Sequence, residues 1–169
     1  MKLTEFFKNQ LEEESQITRK MLKLVPEQQY EWQPHAKSMT LIRLAKHVAE
    51  LPGWITMILS ANELDFAKGG YNPGPINNNA DLMAYFEGNL TESRTQLAEA
   101  TEDDLGLNWK MRNGDEIYID TTKAEVLRMT FSQMIHHRAQ LGVYLRLLNI
   151  PIPGSYGPSA DEMEFATVK

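Results

Sequence analysis

The chain has 169 residues, which is enough for one domain with a substantial hydrophobic core. Its composition is that of a globular protein, with 42% hydrophobic and 24% charged residues, and its net charge of −6 disfavours binding to a nucleic-acid backbone. Because the sequence has no cysteine, a disulfide framework and a thiolate metal site are both excluded. No apolar run approaches the roughly 20 residues of a membrane span, and acidic residues near the N-terminus argue against a signal peptide. We therefore expect a cytoplasmic protein without a membrane partner.

The first predicted helix, Leu3 to Val25, has an acidic residue on its apolar face. Glu14 lies on a helical wheel among the apolar positions, which are Leu3, Phe6, Phe7, Leu11, Ile17, Met21, Leu24 and Val25. A carboxylate on a buried face is costly unless it is paired or bound to a cation. Two interpretations are open: Glu14 lies where the stripe is partly hydrated or pairs with an arginine, or it faces a polar cavity.

The second predicted helix, Leu41 to Glu63, carries a histidine at the margin of its apolar stripe. His47 falls beside positions that follow the helical period, namely Leu41, Leu44, Ala45, Val48, Leu51, Ile55 and Leu59. A lone histidine in such a position is most often a hydrogen-bonded structural side chain. Glu50, three residues further on, is expected to be solvated or to form a hydrogen bond with a metal-ligating side chain.

A loop, a third helix and a hairpin are predicted before the last helix. The loop, Asp65 to Asn79, is rich in glycine, proline and asparagine, and its length suits a crossover between bundle helices. The third helix is predicted over Ala80 to Ala100. Between Trp109 and Ile119, the pair Asn113-Gly114 is typical of a two-residue type I′ turn and predicts a small β-hairpin.

The fourth predicted helix, Lys123 to Leu148, contains two adjacent histidines. Its apolar face comprises Val126, Leu127, Thr130, Met134, Leu141, Tyr144, Leu145 and Leu148. His137 falls about 25° from the centre of that face, Gln133 about 65° away on the same side, and His136 about 125° away. We therefore expect His137 and Gln133 to converge on one point inside the protein, and His136 to face outward. Residues 150–169 are predicted to form an extended tail.

These segments together resemble the DinB/YfiT-like family of metal-binding four-helix bundles. The resemblance rests on Leu44-Ala45-Lys46-His47-Val48-Ala49-Glu50 in the second helix and on His137-Arg138-Ala139-Gln140-Leu141 in the last. It extends to Trp32-Gln33-Pro34 before Ser38-Met39-Thr40-Leu41, to the hairpin, and to Leu147 through Pro158. It implies an all-α four-helix bundle, with a long crossover loop and a small hairpin before the last helix, forming one domain over residues 1–169.

Members of this family usually hold a divalent metal, nickel or zinc in many cases, with one histidine from the second helix and two from the fourth. The resemblance assigns His47 and His137 to two of these positions, whereas the third holds Gln133 instead of histidine. A glutamine coordinates only through a neutral amide oxygen, which is a weaker ligand for zinc or nickel than imidazole. The expected metal ligands are therefore His47, Gln133 and His137, with waters completing the set and Glu14 supplying charge nearby.

Several relatives are transferases or isomerases that use bacillithiol, mycothiol or glutathione-like thiols. The resemblance thus implies a metal-activated thiol attacking an electrophile, and the thiol must come from a cosubstrate because this chain has no cysteine. Two alternatives are open: a non-catalytic bundle with a vestigial site, acting as a sensor or dimerisation scaffold, and a metal-dependent hydrolase using Glu14 or Glu50 as base. Family habit also implies a homodimer, and Arg138 is expected to pair with a carboxylate.

Overall fold

Four long helices make up most of residues 1–69 and 74–162, which are the residues that the computed structural model describes. They are α1 (Leu3–Leu22), α2 (Leu41–Ser60), α3 (Asn79–Glu99) and α5 (Lys123–Leu147), and a short α4 (Glu102–Gly106) follows α3. Four of these helices begin at a side chain that accepts a hydrogen bond from a backbone N–H of the first turn: Thr40, Asn78, Thr101 and Thr122. The chain is therefore mostly helical, with a helix at each of the four predicted positions.

The predicted helix ends were least accurate at the C-termini of the first two helices. α1 ends at Leu22 rather than Val25, before Pro26, whose ring and missing N–H prevent continuation of the helix. α2 ends at Ser60 rather than Glu63, because the following residues Glu63–Asp65 form a strand, β1. The backbone groups of β1 form hydrogen bonds with a strand that lies about 50 residues further along the chain. The local sequence does not predict this pairing.

A three-stranded sheet accompanies the helices, so the expectation of an all-α fold was too simple. Strands β2 (Asn108–Asn113) and β3 (Glu116–Thr122) form the predicted antiparallel hairpin, and β1 adds to β2 in parallel. The turn residues are Gly114 and Asp115, one position later than predicted, since Asn113 pairs with Glu116. Gly114 has a φ of 60°, whereas Asp115 is not among the described residues with a positive φ, so the turn has the type II′ pattern rather than that of the predicted type I′ turn at Asn113-Gly114.

The directions of the helices follow from the residues that meet between them. Phe7 stacks on Phe131 and Glu14 pairs with Arg138, so α1 and α5 run parallel. In the same way, Asn89 donates to the carbonyl of Ala49 and Ser93 to the carbonyl of Pro52, and α2 and α3 are therefore parallel as well. Parallel neighbours need a long return connection, which accounts for the extended segment between α2 and α3.

The core lies between the long helices and is apolar. Its most deeply buried large side chains, each without measurable exposure, are Leu22, Leu41, Leu51, Ile55, Ile58, Leu82, Phe86, Leu90, Leu97, Trp109, Leu127, Leu141 and Leu145. Burial of one such side chain contributes roughly 1.5–3 kcal/mol. This packing fixes the rotation of α2 and α5 about their axes and so determines which of their polar residues face each other.

The tail after α5 packs against the helices as far as it is described. Ile150 and Ile152 contact the core, and Arg146 forms an ion pair with Asp161. The remainder of the predicted tail, residues 163–169, lies outside the described residues, as do residues 70–73 of the crossover loop. Within the described part of the chain, no helix combines the length and the apolarity needed to cross a bilayer.

Candidate metal centre

Two histidines from different helices meet at the interface of α2 and α5. The ring centroids of His47 and His137 are 4.4 Å apart, and the ring planes are inclined at 75°. The two residues are 90 positions apart in the chain and come together because α2 and α5 are antiparallel: near the other end of the pair, Lys123 donates to the Leu59 carbonyl. The helical phase of α5 had selected His137 as the inward histidine, and the structure places it there.

Each of these imidazoles is held by an acceptor located three residues later on its own helix. His47 Nδ1 lies 2.5 Å from Oε1 of Glu50, and His137 Nδ1 lies 2.8 Å from Oε1 of Gln140. A carboxylate and an amide oxygen can only accept a hydrogen bond, so Nδ1 of each neutral ring carries the proton. Nε2 of each ring is then left with a lone pair, which is the arrangement found in metal-ligating histidines.

Burial also favours the neutral form of His137. The pKa of His137 is lowered, first because burial disfavours the charged ring, and further by the nearby rings of His47 and His136. The hydrogen bond to Gln140 and the charge of Glu50 oppose this shift without reversing it. An imidazole must be neutral to bind a metal, so the lowered pKa increases the fraction of the ligating form at neutral pH.

The third expected ligand, Gln133, lies one turn before His137 on α5 and is half-buried. Its side chain forms no hydrogen bond with any residue in the described ranges, so the amide has no competing partner there. Among the same residues, no three histidine, cysteine, aspartate or glutamate side chains are placed to hold a metal ion together. Within the described residues, the structure therefore brings together two imidazoles, and the Gln133 amide lies one turn from His137 on the same helix.

The neighbouring histidine, His136, is exposed to solvent, as its helical phase predicts. Its ring centroid nevertheless lies 4.8 Å from that of His137, because adjacent side chains leave the helix close together. His35, the remaining histidine, lies in the connection before α2, where its Nδ1 accepts a hydrogen bond from the backbone N–H of Lys37.

Glu14 pairs with an arginine, which was the first of the two interpretations of its place in the apolar stripe. Its Oε2 lies 2.6 Å from Nη1 of Arg138, and the two side chains are 1% and 2% exposed. The hydroxyl of Tyr156 lies 2.8 Å from both carboxylate oxygens and also accepts from Arg138 Nη2. Arg138 thus has the structural role expected of it, and the charge of Glu14 is compensated within this cluster.

Three residues around the paired histidines were not identified from the sequence. Gln140 was not identified as the partner of His137, although it has the same three-residue spacing that separates Glu50 from His47. Trp54 was not identified as a wall of the centre, yet its ring lies 5.8 Å from that of His47. Tyr85 belongs to α3, and no local signal relates it to α2, but its hydroxyl is buried near Glu50.

Comparison with solved structures shows the same fold in three bacterial proteins. A DinB-like protein from Bacillus subtilis has a TM-score of 0.71 at 16% identity, over 88% of this chain and 96% of its own. A DinB-like protein from Bacillus cereus has a TM-score of 0.67 at 21% identity, over 90% and 97%. A proposed member of the DinB family from Exiguobacterium sibiricum has a TM-score of 0.67 at 16% identity, over 91% and 97%.

Sequence comparison gives the family directly. No curated protein matches the chain significantly. The model of the DinB family, in contrast, matches residues 1–167, which is nearly the whole sequence. That match agrees with the fold shared with the three solved structures and with the residues around His47 and His137 on which the resemblance was based. The chain belongs to the DinB family.

Proposed function

We propose that the protein binds a divalent metal ion, zinc or nickel, with His47 and His137 as its principal ligands. The observation that carries this proposal is the paired geometry of the two imidazoles. Their rings are 4.4 Å apart, and each Nδ1 is occupied by an acceptor on its own helix, so that each Nε2 is free. Two rings this close can share one ion, since metal–nitrogen bonds are about 2 Å long.

The available ligand atoms are of kinds that bind zinc and nickel, but the set lacks a third strong ligand. Two neutral imidazoles suit zinc and nickel, and the half-buried Gln133 amide would add a neutral oxygen. The remaining positions would be open to water or substrate, as in catalytic rather than structural sites. Glu50 and Gln140 would hold the two rings in orientation, as the outer partners of metal-binding histidines generally do.

The activity that this centre would support is transfer of a low-molecular-weight thiol to an electrophilic substrate. A divalent cation lowers the pKa of a coordinated thiol and so supplies a thiolate nucleophile at neutral pH. The thiol would come from a cosubstrate, because the chain contains no cysteine. Trp54, whose ring lies 5.8 Å from that of His47, would form an apolar wall beside the reacting groups.

A non-catalytic role is the second candidate, and one observation favours it. In the described part of the chain, no three acidic, histidine or cysteine side chains converge on an ion site. A weakly held or absent metal would leave a scaffold of the DinB type, with a function in binding or dimerisation. The hydrolase alternative is less well supported, because Glu14 is paired with Arg138 and Glu50 already orients the ring of His47 through its Oε1.

Two further features belong to this proposal. The four long helices would form a four-helix bundle of the DinB type as a single domain over residues 1–169. The protein would act in the cytoplasm as a homodimer, without a nucleic-acid or membrane partner. Sedimentation of the purified protein would test the dimer directly.

Elemental analysis of protein purified without a histidine tag tests the metal centre. We expect close to one equivalent of zinc or nickel per chain, and substantially less in a His47→Ala variant. The thiol chemistry is tested by incubating the metal-loaded protein with a glutathione-like thiol and a generic electrophile. Accelerated conjugation supports the transferase, whereas metal binding without conjugation supports the scaffold. Absence of metal in the isolated protein, and of uptake on titration, would reject the centre.

A further inference from the structure

Tyr85 on α3 has a buried hydroxyl that makes no hydrogen bond within residues 1–69 and 74–162. A buried hydroxyl without a partner has lost its hydrogen bonds to water and forms none within the protein, so it destabilises the folded state. Such groups are uncommon in native proteins, and each calls for a bound water, an ion or a functional role. The surroundings of this hydroxyl indicate which of these applies.

The packing of α3 on α2 places Tyr85 beside the turn that contains His47 and Glu50. Asn89, one turn after Tyr85, donates its Nδ2 to the carbonyl of Ala49 at 3.1 Å. Because α2 and α3 run parallel, the preceding turn of α3 lies next to the preceding turn of α2. Tyr85 therefore lies beside the turn of α2 that precedes Ala49 and contains His47, and the side chain of Glu50 reaches this turn to contact the His47 ring.

The carboxylate of Glu50 has an oxygen available at this place. Its Oε1 lies 2.5 Å from Nδ1 of His47, and its Oε2 has no hydrogen-bond partner among the described residues. The Glu50 side chain is 15% exposed, so this second oxygen is only partly hydrated. A half-satisfied carboxylate and an unsatisfied phenol on facing helices are complementary as acceptor and donor.

The titration behaviour of Tyr85 agrees with this neighbourhood. Burial raises the pKa of Tyr85 to about 12, and the negative charge of Glu50 contributes in the same direction. Hydrogen bonding with the side chain of Asn89 opposes the shift, but the Asn89 amide donates to the Ala49 carbonyl and is not placed to satisfy the hydroxyl. The hydroxyl consequently keeps its proton at neutral pH and well above it. The neutral hydroxyl can therefore donate a hydrogen bond to a carboxylate, and it carries no negative charge that would repel that carboxylate.

We propose that Tyr85 is a positioning residue for the metal centre, whose hydroxyl donates through one bound water to Oε2 of Glu50. It would thereby fix the carboxylate that orients the imidazole of His47. This inference rests on the proposed metal centre and assigns it a supporting residue from a third helix. Tyr85 would act only through Glu50, and it would contact neither the ion nor the substrate.

The role predicts a loss of metal affinity with little change in stability. Tyr85→Phe keeps the ring and removes a hydroxyl whose bond to Glu50 passes through one water, so the melting temperature of the metal-free protein should change little. Metal affinity should fall by about threefold to tenfold, less than the 10- to 100-fold loss usual when the direct partner of a ligating histidine is removed. A residue with a purely structural role would lower the melting temperature and leave affinity unchanged.

A double-mutant cycle with Glu50→Gln provides the test. Zinc affinity is measured by chelator competition for the wild type, Tyr85→Phe, Glu50→Gln and the double variant. If Tyr85 acts through Glu50, Tyr85→Phe weakens binding in the wild-type background and has no further effect in the Glu50→Gln background. An unchanged affinity in Tyr85→Phe, or an equal loss in both backgrounds, would overturn the proposal.

Tyr30→Phe is the matched control, because Tyr30 also has a buried hydroxyl without a partner among the described residues but lies near Glu27 and Asp81 instead of Glu50. Its removal should leave zinc affinity unchanged. If the wild type binds no zinc, the metal centre itself is rejected, and nitrogen NMR of the His47 ring in the metal-free protein decides separately on Tyr85. A change in the Nδ1 signal in Tyr85→Phe but not in Tyr30→Phe supports the positioning role, and no change in either rejects it.

Discussion

The guanidinium of Arg138 and the carboxylate of Glu14 form an ion pair at 2.6 Å in which both side chains are at least 98% buried. The pair joins α1 to α5 one residue after His137. The remaining hydrogen-bonding capacity is used by Thr18, by the Glu14 carbonyl and by Tyr156 from the tail. A charge in this position is tolerated only as part of such a satisfied cluster.

Removing one member of the Glu14–Arg138 pair should destabilise the protein far more than removing both. Glu14→Gln or Arg138→Met leaves a buried charge without its partner, and we expect a loss of about 3–5 kcal/mol in the free energy of unfolding. The double variant Glu14→Gln/Arg138→Met should lose substantially less. Denaturant unfolding of the three variants measures the coupling, and additive losses would contradict the buried pair.

Tyr156→Phe tests the contribution of the tail to the same cluster. The phenol bridges Glu14 and Arg138, while most of the Tyr156 residue is exposed. Its loss should cost about 1.5–3 kcal/mol, the usual contribution of a hydrogen bond to a charged group. Tyr118→Phe is a suitable control, since the Tyr118 hydroxyl donates to the exposed side chain of Glu116. Thermal unfolding should distinguish the two variants clearly.

The periodicity of apolar residues was sufficient to locate the four long helices and to orient His137. It succeeded because each helix buries one continuous face, and burial of that face determines the rotation of the helix. Pairing of Glu14 with an arginine was one of the two interpretations drawn from the sequence. Which arginine it would be was not predictable, since Arg138 lies 124 positions away. The parallel pairing of β1 with β2 was missed for the same reason: it joins segments that local propensity treats separately.

The centre itself was only partly predictable. His47 and His137 followed from the family motifs, and helical phase agreed for His137. Gln140 and Glu50 share a spacing of three residues from their histidines, a local signal that was available but was used only for Glu50. Tyr85 could not have been found, because its relation to Glu50 arises from the parallel packing of α2 and α3.

Gly53 should be required for the close approach of α2 and α3. A Cβ at this position would lie 2.7 Å from Oδ1 of Asn89, whose Nδ2 is bonded to the Ala49 carbonyl. In Gly53→Ala, overpacking and loss of this hydrogen bond should outweigh the better helix propensity of alanine, for a net loss of about 1 kcal/mol.

Gly88→Ala on α3 is the matched control, because a Cβ there would meet no atom of the described residues within 4 Å. The same substitution should therefore stabilise the protein by about 0.5–1 kcal/mol. Urea unfolding of the two variants should give shifts of opposite sign. A stabilised Gly53→Ala would show that the helices can separate at this contact without cost.

The ion pairs of Glu63 should make stability depend on pH in the acid range. Hydrogen bonds from Arg112 and Lys68 lower the pKa of Glu63 to about 2. Since the folded pKa lies below that of the unfolded chain, near 4.3, the contribution of Glu63 is fully present above about pH 4.3. It is lost as the pH falls through about 2.

The pH dependence can be assigned to Glu63 by comparison with Glu63→Gln. The difference in unfolding free energy between the wild type and this variant should be constant from neutral pH to about pH 5. It should then shrink through the interval between the two pKa values. Glu116→Gln, at an exposed position on β3, provides a carboxylate control. A difference that does not change between about pH 5 and about pH 2 would show that Glu63 is not the group responsible.

Replacing Gln133 with histidine should strengthen metal binding. Gln133 lies one turn before His137 on α5, so an imidazole at this position would face the same side of the helix. It would complete a set of three nitrogen ligands with His47 and His137, in place of an amide oxygen that binds zinc and nickel weakly. We expect an increase of at least about tenfold in zinc or nickel affinity, equivalent to roughly 1.4 kcal/mol.

His136→Ala is the control: its ring is close to that of His137 but exposed, so its removal should change affinity little. Titration of the wild type and both variants with zinc, against a competing chelator, decides the assignment. If Gln133→His binds zinc no more tightly, or if His136→Ala abolishes binding, the metal does not bind between α2 and α5 as proposed.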